Sequence, residues 1–289
     1  MADGKLTIVT GASQNHARVL FHLLESLDRY EPHTKVVVYD LGLARRTAAR
    51  LRRDGRHLVR FRFDDYPPHV DAMNLHTYAW KPAIVREAML AYGPPLLWLD
   101  AGDLVHERLD RVRAELARIG FYCPHSSGTI DAWCHSLTIS ALGIEPDILA
   151  TRNRNGAMIG FGDQPLARAL LCAWYEQSMR PEVICPPGSS RDNHRQDQTV
   201  LSVLLARVIR DHQLDPADTR LGISTHNDRL SHREVLHYMQ CDVSIARDLA
   251  LRGFVPERLW RAFIRALRPL RRAGARTRQA VRDRINRVP

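Results

Sequence analysis

Two carboxylates, Asp100 and Asp103, sit on one short turn with Ala101 and Gly102 between them, directly after four large apolar residues, Leu96 to Leu99. An apolar run bounded by a turn reads as a strand buried on both faces, as in a parallel α/β sheet. Open α/β sheets bind ligands just beyond the carboxyl ends of such strands. Carboxylates there are costly to desolvate, so they take a cation or a donor-rich ligand as partner. For either acid alone, capping of the next segment competes with that role; two acids on one turn favour a ligand. Asp197 and Gln198 form a second polar pair in the first turn of a helix, where an acid also complements the helix dipole. Asp40 ends another apolar run, with capping as its competing role.

The elements that must position these groups alternate in kind. LTIVTGAS (6–13) is a first strand running into a small-residue turn. Residues 16–30 carry Val19, Leu20, Leu23, Leu24 and Leu27 at helical spacing, with Asn15 as the expected N-cap. KVVVYDLGL (35–43) is a second strand, 44–54 a basic surface helix and LVRFRF (58–63) a third strand. A helix over 78–93 has Pro82 in its first turn, a favoured place, and stops at Gly93. Strands and helices alternating at this spacing imply βαβ units and a mostly parallel sheet. Beyond Asp103 the pattern gives a surface helix at 109–120, an unassigned stretch at 121–143, and a glycine-flanked strand at 154–162. Helices follow at 165–179 and 196–209, separated by a loop at 185–196. SHRE (231–234) is a capping box. The start VTGAS resembles the opening of short-chain dehydrogenases. Its sequel QNHARVLF has none of the glycines that let a backbone approach a pyrophosphate, so nicotinamide binding is set aside.

The 289 residues suffice for one large domain with a full core. No apolar run approaches the ~18 residues that span a bilayer. The start MADGKLTIVTG lacks a basic region followed by an apolar one, so a cytoplasmic location is expected. Five cysteines, with no C-x-x-C pair, fit a reducing compartment rather than a disulfide framework or zinc site. The net charge of +10 is concentrated at one end. From Pro256 to Pro289 eleven arginines face two acids, Glu257 and Asp283, and the body is near neutral. This argues against nucleic acid as the body's partner.

Taken in order, the pieces resemble the GT-A fold of nucleotide-sugar glycosyltransferases, most closely the glycogenin-like type, over roughly residues 5–245. LTIVTGAS, Lys81 in WKPAIV, LLWLDAGD, and NRNGAMIGF followed by RQDQTVLSVLL carry the likeness. YDLGL, YAWKP and WLDAGD also resemble a group of bacterial proteins of sugar-transferase type. The resemblance implies an α/β, Rossmann-related GT-A-like domain over 1–255, with a nucleotide-sugar half at 1–105 and an acceptor half at 106–255. It implies transfer of a sugar, most simply from a UDP-sugar, to a glycan or lipid-linked acceptor, as in bacterial surface polysaccharide synthesis. A non-catalytic relative that binds a nucleotide sugar or glycan is the alternative.

By the same resemblance, Asp100, Asp103 and His226 would hold Mg²⁺ or Mn²⁺ at the donor diphosphate. The family's Asp-x-Asp is altered here: Gly102 stands at its second acid and Asp103 comes one residue late. Lys81 would place a positive charge at the donor, with a solvated helix-end lysine as the alternative. Thr10, Gly11 and Ala12 would let the nucleotide lie across the first strand's end, and Asp40 could meet its ribose or base. Asp197 and Gln198 would sit beside the sugar, Asp197 contacting donor hydroxyls or assisting at the anomeric centre and Gln198 orienting it.

The basic end is a separate element. Leu259, Trp260, Phe263, Ile264 and Leu267 share one helical face, with Arg258, Arg261, Arg265 and Arg268 largely off it. A basic amphipathic helix of this kind lies in a membrane's headgroup plane. Residues 256–289 are therefore expected to form a helical tail that holds the protein at an anionic inner membrane face, where lipid-linked acceptors sit. Docking of 256–268 onto the body is the competing expectation.

Overall fold

The computed structural model describes residues 5–225. His226, the boundary expected at 255 and the tail 256–289 lie outside the described residues.

The strands in chain order are β1 (Thr7–Ala12), β2 (Lys35–Asp40), β3 (His57–Arg60), β4 (Leu96–Leu99), β5 (Leu104–Val105), β6 (Phe121–Tyr122), β7 (His125–Thr129), β8 (Arg152–Arg154), β9 (Met158–Phe161) and β10 (Ile223–Ser224). The helices are α1 (Ala17–Tyr30), α2 (Arg45–Arg53), α3 (Trp80–Tyr92), α4 (Asp110–Ile119), α5 (Ser136–Leu142), α6 (Pro146–Leu149), α7 (Pro165–Ser178), α8 (Pro181–Ile184) and α9 (Gln196–His212). Six strands form the central sheet in the order β3-β2-β1-β4-β9-β6. The first four are parallel; β9 runs antiparallel to both β4 and β6. The expected mostly parallel α/β sheet is therefore present, and the order turns back on either side of β1, which makes the crevice between the ends of β1 and β4 the natural ligand site.

The alternation of side chains along β4 decides what faces that crevice. Leu96 and Trp98 pack on one side with Ile84, Ala88 and Trp174, while Leu97 and Leu99 pack on the other with Leu23, Leu27, Val112 and Leu116. Asp100 continues the register of Leu96 and Trp98, which directs it to the side covered by α3. That helix is apolar nearly all round, with Ala83, Ile84, Val85 and Ala88 fully buried, as a helix packed within a core must be. Its one charged first-turn residue is Lys81.

Three local expectations need correction. Asn15 does not cap α1: a 3-10 turn, Gln14–His16, precedes the helix, and the Asn15 side chain bonds Ser13 and His16 within that turn. The third strand ends at Arg60, and Phe63–Asp65 is a 3-10 turn. The strand expected at 154–162 divides into β8 and β9, with Asn155, Gly156 and Ala157 between them. The unassigned stretch 121–143 becomes β6, β7, a 3-10 turn and α5.

Candidate active site

Lys81 stands at the centre of the crevice. Its ammonium lies 2.9 Å from Asp100 Oδ1 and 3.4 Å from Asp197 Oδ2, and it donates to the Gly156 carbonyl at 2.7 Å. The contact with Asp197 is an ion pair, and Asp197 Oδ2 has no hydrogen-bond partner among the described residues. Lys81 is 3% exposed, and the rings of Tyr78, Trp80 and Trp98 lie 5.6–6.0 Å from its nitrogen. The solvated helix-end alternative is excluded by that burial. The side chain holds two acids in place. Burial opposes the ammonium's charge, but Asp100 and Asp197 outweigh it and keep Lys81 protonated above its ordinary value.

Asp100 is the part of this cluster that meets solvent, with 22% of its side chain exposed. Its Oδ1 also accepts from Trp98 Nε1 at 2.7 Å, and its backbone N–H is tied to the Ala157 carbonyl at 2.8 Å. The antiparallel pairing of β9 with β4 brings residues 156 and 157 here. Gly156 is packed closely: a Cβ there would lie 3.0 Å from Gln198 Cβ. Asp197 is 3% exposed. Burial raises its pKa, Lys81 opposes the rise and the charge of Asp100 adds to it, leaving the carboxyl at about 6. The cluster carries two carboxylates for one ammonium.

Both elements that deliver these groups enter through a left-handed residue. Tyr78 before α3 has φ 54 and Gln196 at the start of α9 has φ 40. For non-glycine residues such conformations cost ~1–3 kcal/mol and concentrate at functional sites.

The remaining candidates are placed differently. Asp103 is fully buried; its Oδ2 accepts the Asp100 N–H at 3.1 Å, and its Oδ1 has no hydrogen-bond partner among the described residues. Burial and the neighbouring Asp100 charge push its pKa well above the usual carboxylate range. It closes the turn on the Asp100 N–H. Gln198 donates to the Arg154 carbonyl at 2.6 Å and tethers α9 to β8; its side chain is not brought to Lys81. Thr10, Gly11 and Ala12 are buried within β1, paired with Val38, Tyr39 and Asp40, and not in a turn. Gly11 leaves room for the Trp98 ring, which a Cβ would approach to 3.2 Å. Asp40 accepts the N–H groups of Gly42 at 2.9 Å and Leu43 at 2.6 Å, the capping role.

Sequence reasoning missed Trp98, Tyr78 and Gly156. The alternation along β4 could have found Trp98, two residues before Asp100 on the same side. It also missed Arg191, an exposed residue whose charge acts on the Tyr78 hydroxyl.

Residues 2–86 match a family model described as "Protein of unknown function (DUF1647)". No curated protein matches the chain. Among solved structures, the chain is similar to core-mannan synthase A from Aspergillus fumigatus in its Mn/GDP form, at 9% identity and a TM-score of 0.51, covering 71% of this chain and 70% of that one. It is also similar to mouse xyloside xylosyltransferase 1 in its apo form (13% identity, TM-score 0.45, 77% and 97% covered). A third similarity is to the galactosyltransferase LgtC with donor and acceptor sugar analogs (16% identity, TM-score 0.43, 76% and 87% covered).

Among the described residues no three His, Cys, Asp or Glu side chains converge on a metal position. Asp103 is sealed, and Asp100 Oδ1 is already engaged by Trp98 and Lys81. His226, the third expected ligand, lies outside the described residues. The described chain nonetheless has the mostly parallel α/β architecture of GT-A glycosyltransferases.

Proposed function

We propose that the protein is a glycosyltransferase of the glycogenin-like type, moving a sugar from a nucleoside-diphosphate donor, most simply a UDP-sugar, to a glycan or lipid-linked acceptor. One observation carries the reading: a buried lysine clamps two aspartates from distant segments at the ligand end of a GT-A-like sheet. Departure of a nucleoside diphosphate leaves positive charge on the anomeric carbon. Fixed carboxylates beside that carbon stabilise the transition state more than the ground state. Asp100 has the open face and accepts sugar hydroxyls; Asp197, held by Lys81, faces the reacting centre. Lys81 is a positioning residue that holds both acids at one geometry. Arg191, exposed beside Tyr78, is a cation available to the departing diphosphate.

The basic segment 256–289 extends this reading. Each arginine near an anionic bilayer contributes ~1 kcal/mol, enough in combination to hold the enzyme where lipid-linked acceptors sit.

The test is slow hydrolysis of UDP-, GDP- and CMP-sugars by the full chain, with Mn²⁺ and with chelator. One donor should be turned over, and Asp100→Ala should abolish that turnover while the far-UV dichroism is retained. Full turnover by Asp100→Ala would remove the assignment. Binding of a donor with no turnover under either condition would select the non-catalytic relative, which the sealed Asp103 favours. Chelator-resistant turnover would show that the cluster works without a metal.

A further inference from the structure

A second concave site lies on the other side of the β8 turn. A cavity of about 400 Å³ is lined by His125, Asp147, Arg152, Arg154 and Arg210, among others, within the ~300–1,000 Å³ range of ligand clefts. Arg210 lies on α9 roughly 20 Å along the helix axis beyond Asp197, and none of Lys81, Asp100, Gly156 and Asp197 lines this cavity.

The charges lining it are unequally satisfied. Arg210 pairs with Asp147 at 3.0 Å and Glu145 at 3.1 Å. Arg152 pairs with Asp218 at 3.2 Å, and Asp218 also meets His125 Nδ1 at 2.5 Å. Arg154 is different. It is 7% exposed, and its Nη1 donates to the Cys123 carbonyl at 3.1 Å. That is the one hydrogen bond its guanidinium makes among the described residues, and no carboxylate there forms an ion pair with it. A guanidinium carries five N–H donors and cannot shed its charge in a protein. Burial disfavours the charged form, and a buried charge ordinarily has a counter-charge. Here the open side of Arg154 is the cavity.

We infer that this cavity binds a phosphoryl group, free as inorganic phosphate or carried on a sugar. Arg154 is the buried guanidinium that receives it, and Arg152 and Arg210 lie at its rim. A planar guanidinium fork matches two phosphoryl oxygens at once. Asp218 is engaged by Arg152, and Glu145, Asp147 and Asp211 by Arg210, so Arg154 is the guanidinium whose donors remain open to the cavity. This inference stands apart from the donor reading, because it concerns a different cavity.

The experiment is calorimetric titration of inorganic phosphate into the full chain, in parallel with glucose 6-phosphate and glucose. Wild type should bind phosphate, and Arg154→Met should weaken binding by at least about tenfold. The exposed rim variant Arg152→Gln, which leaves the buried position untouched, should weaken it by a smaller factor. Asp100→Ala should bind as wild type does. Tighter binding of glucose 6-phosphate than of phosphate, with glucose silent, identifies a sugar phosphate; equal binding identifies the free phosphoryl group. Absence of binding to wild type would overturn the proposal, as would unchanged binding in both arginine variants. A change of binding, in either direction, in Asp100→Ala with both arginine variants unaffected would place the phosphate at the donor site and overturn it equally.

Discussion

Two buried acids in this molecule are held in opposite ways. Glu31, at the end of α1, is 5% exposed. Burial alone would raise its pKa, but hydrogen bonds from Arg113, Thr34 and the Leu109 N–H overcome burial and bring it down to about 2. Asp197 is buried as deeply, yet it has one ammonium, shared with Asp100, and stands at about 6. Glu31 is fully satisfied by its own fold. Asp197 is under-satisfied, and buried groups whose charge the fold leaves unbalanced concentrate where a ligand completes them. The same contrast separates two strand-end aspartates. Asp40 spends its carboxylate on the next turn's N–H groups, whereas Asp100 bonds side chains of the cluster and keeps an open face.

The largest expected effect comes from removing the clamp. Lys81→Met strands two carboxylates, and loss of one partner from a buried pair costs ~3–5 kcal/mol. Urea unfolding should show that loss, and donor turnover should fall at least ~100-fold as the acids move apart. A variant that kept wild-type stability would mean that the two acids do not depend on the ammonium.

Asp197→Asn comes next. It should lower kcat about 100-fold or more while changing donor binding little, as expected of a group acting in the transition state. In wild type kcat should rise with pH through about 6 as Asp197 ionises; in the variant that step should vanish. Stability carries the same group with the opposite sign. The folded chain holds the Asp197 proton more tightly than the unfolded chain does. Its contribution therefore falls as pH rises from the ordinary 3.8 to about 6 and is level above that. A variant with an unaltered pH–rate profile would separate Asp197 from the chemistry.

Glu31→Gln should do the reverse of Asp197→Asn: activity unchanged, stability at neutral pH lowered by ~1–3 kcal/mol. Because the folded pKa of Glu31 is depressed, its contribution is present above pH 4.5 and lost as pH falls toward about 2. Thermal melts between these limits check this, and a loss of turnover in Glu31→Gln would blur the comparison. The smallest effect should be that of Asp40→Ala, ~0.5–1.5 kcal/mol in all because water can replace the carboxylate at these solvent-accessible turn N–H groups, with donor affinity intact. Weakened donor binding there would return Asp40 to the site.

Much of the fold and part of the site are legible in the residues. The apolar runs announce β1, β2 and β4, and the helical spacing of the leucines announces α1. Lys81, Asp100 and Asp197 stand out by residue type and by their places at the ends of these elements, and the fold brings the three together. What stays hidden depends on contacts between distant segments. Whether Asp103 opens outward or folds back on the Asp100 N–H is decided by backbone geometry within four residues, which no residue type reveals. Gly11 looks like a turn glycine, but it serves the Trp98 ring from a neighbouring strand. Gln196 adopts a left-handed conformation that its side chain does not advertise. The role of Arg154 depends on the cavity that β8 and α9 leave at its side.

The central claim is that the Lys81–Asp100–Asp197 cluster receives a nucleotide-sugar donor. Calorimetric titration of a UDP-, GDP- and CMP-sugar panel into wild type and Asp100→Ala addresses it most directly. The account predicts one donor that binds wild type, with affinity at least about tenfold weaker in the variant. Failure of every donor to bind the folded wild-type chain, or equal affinity in both proteins, would contradict it.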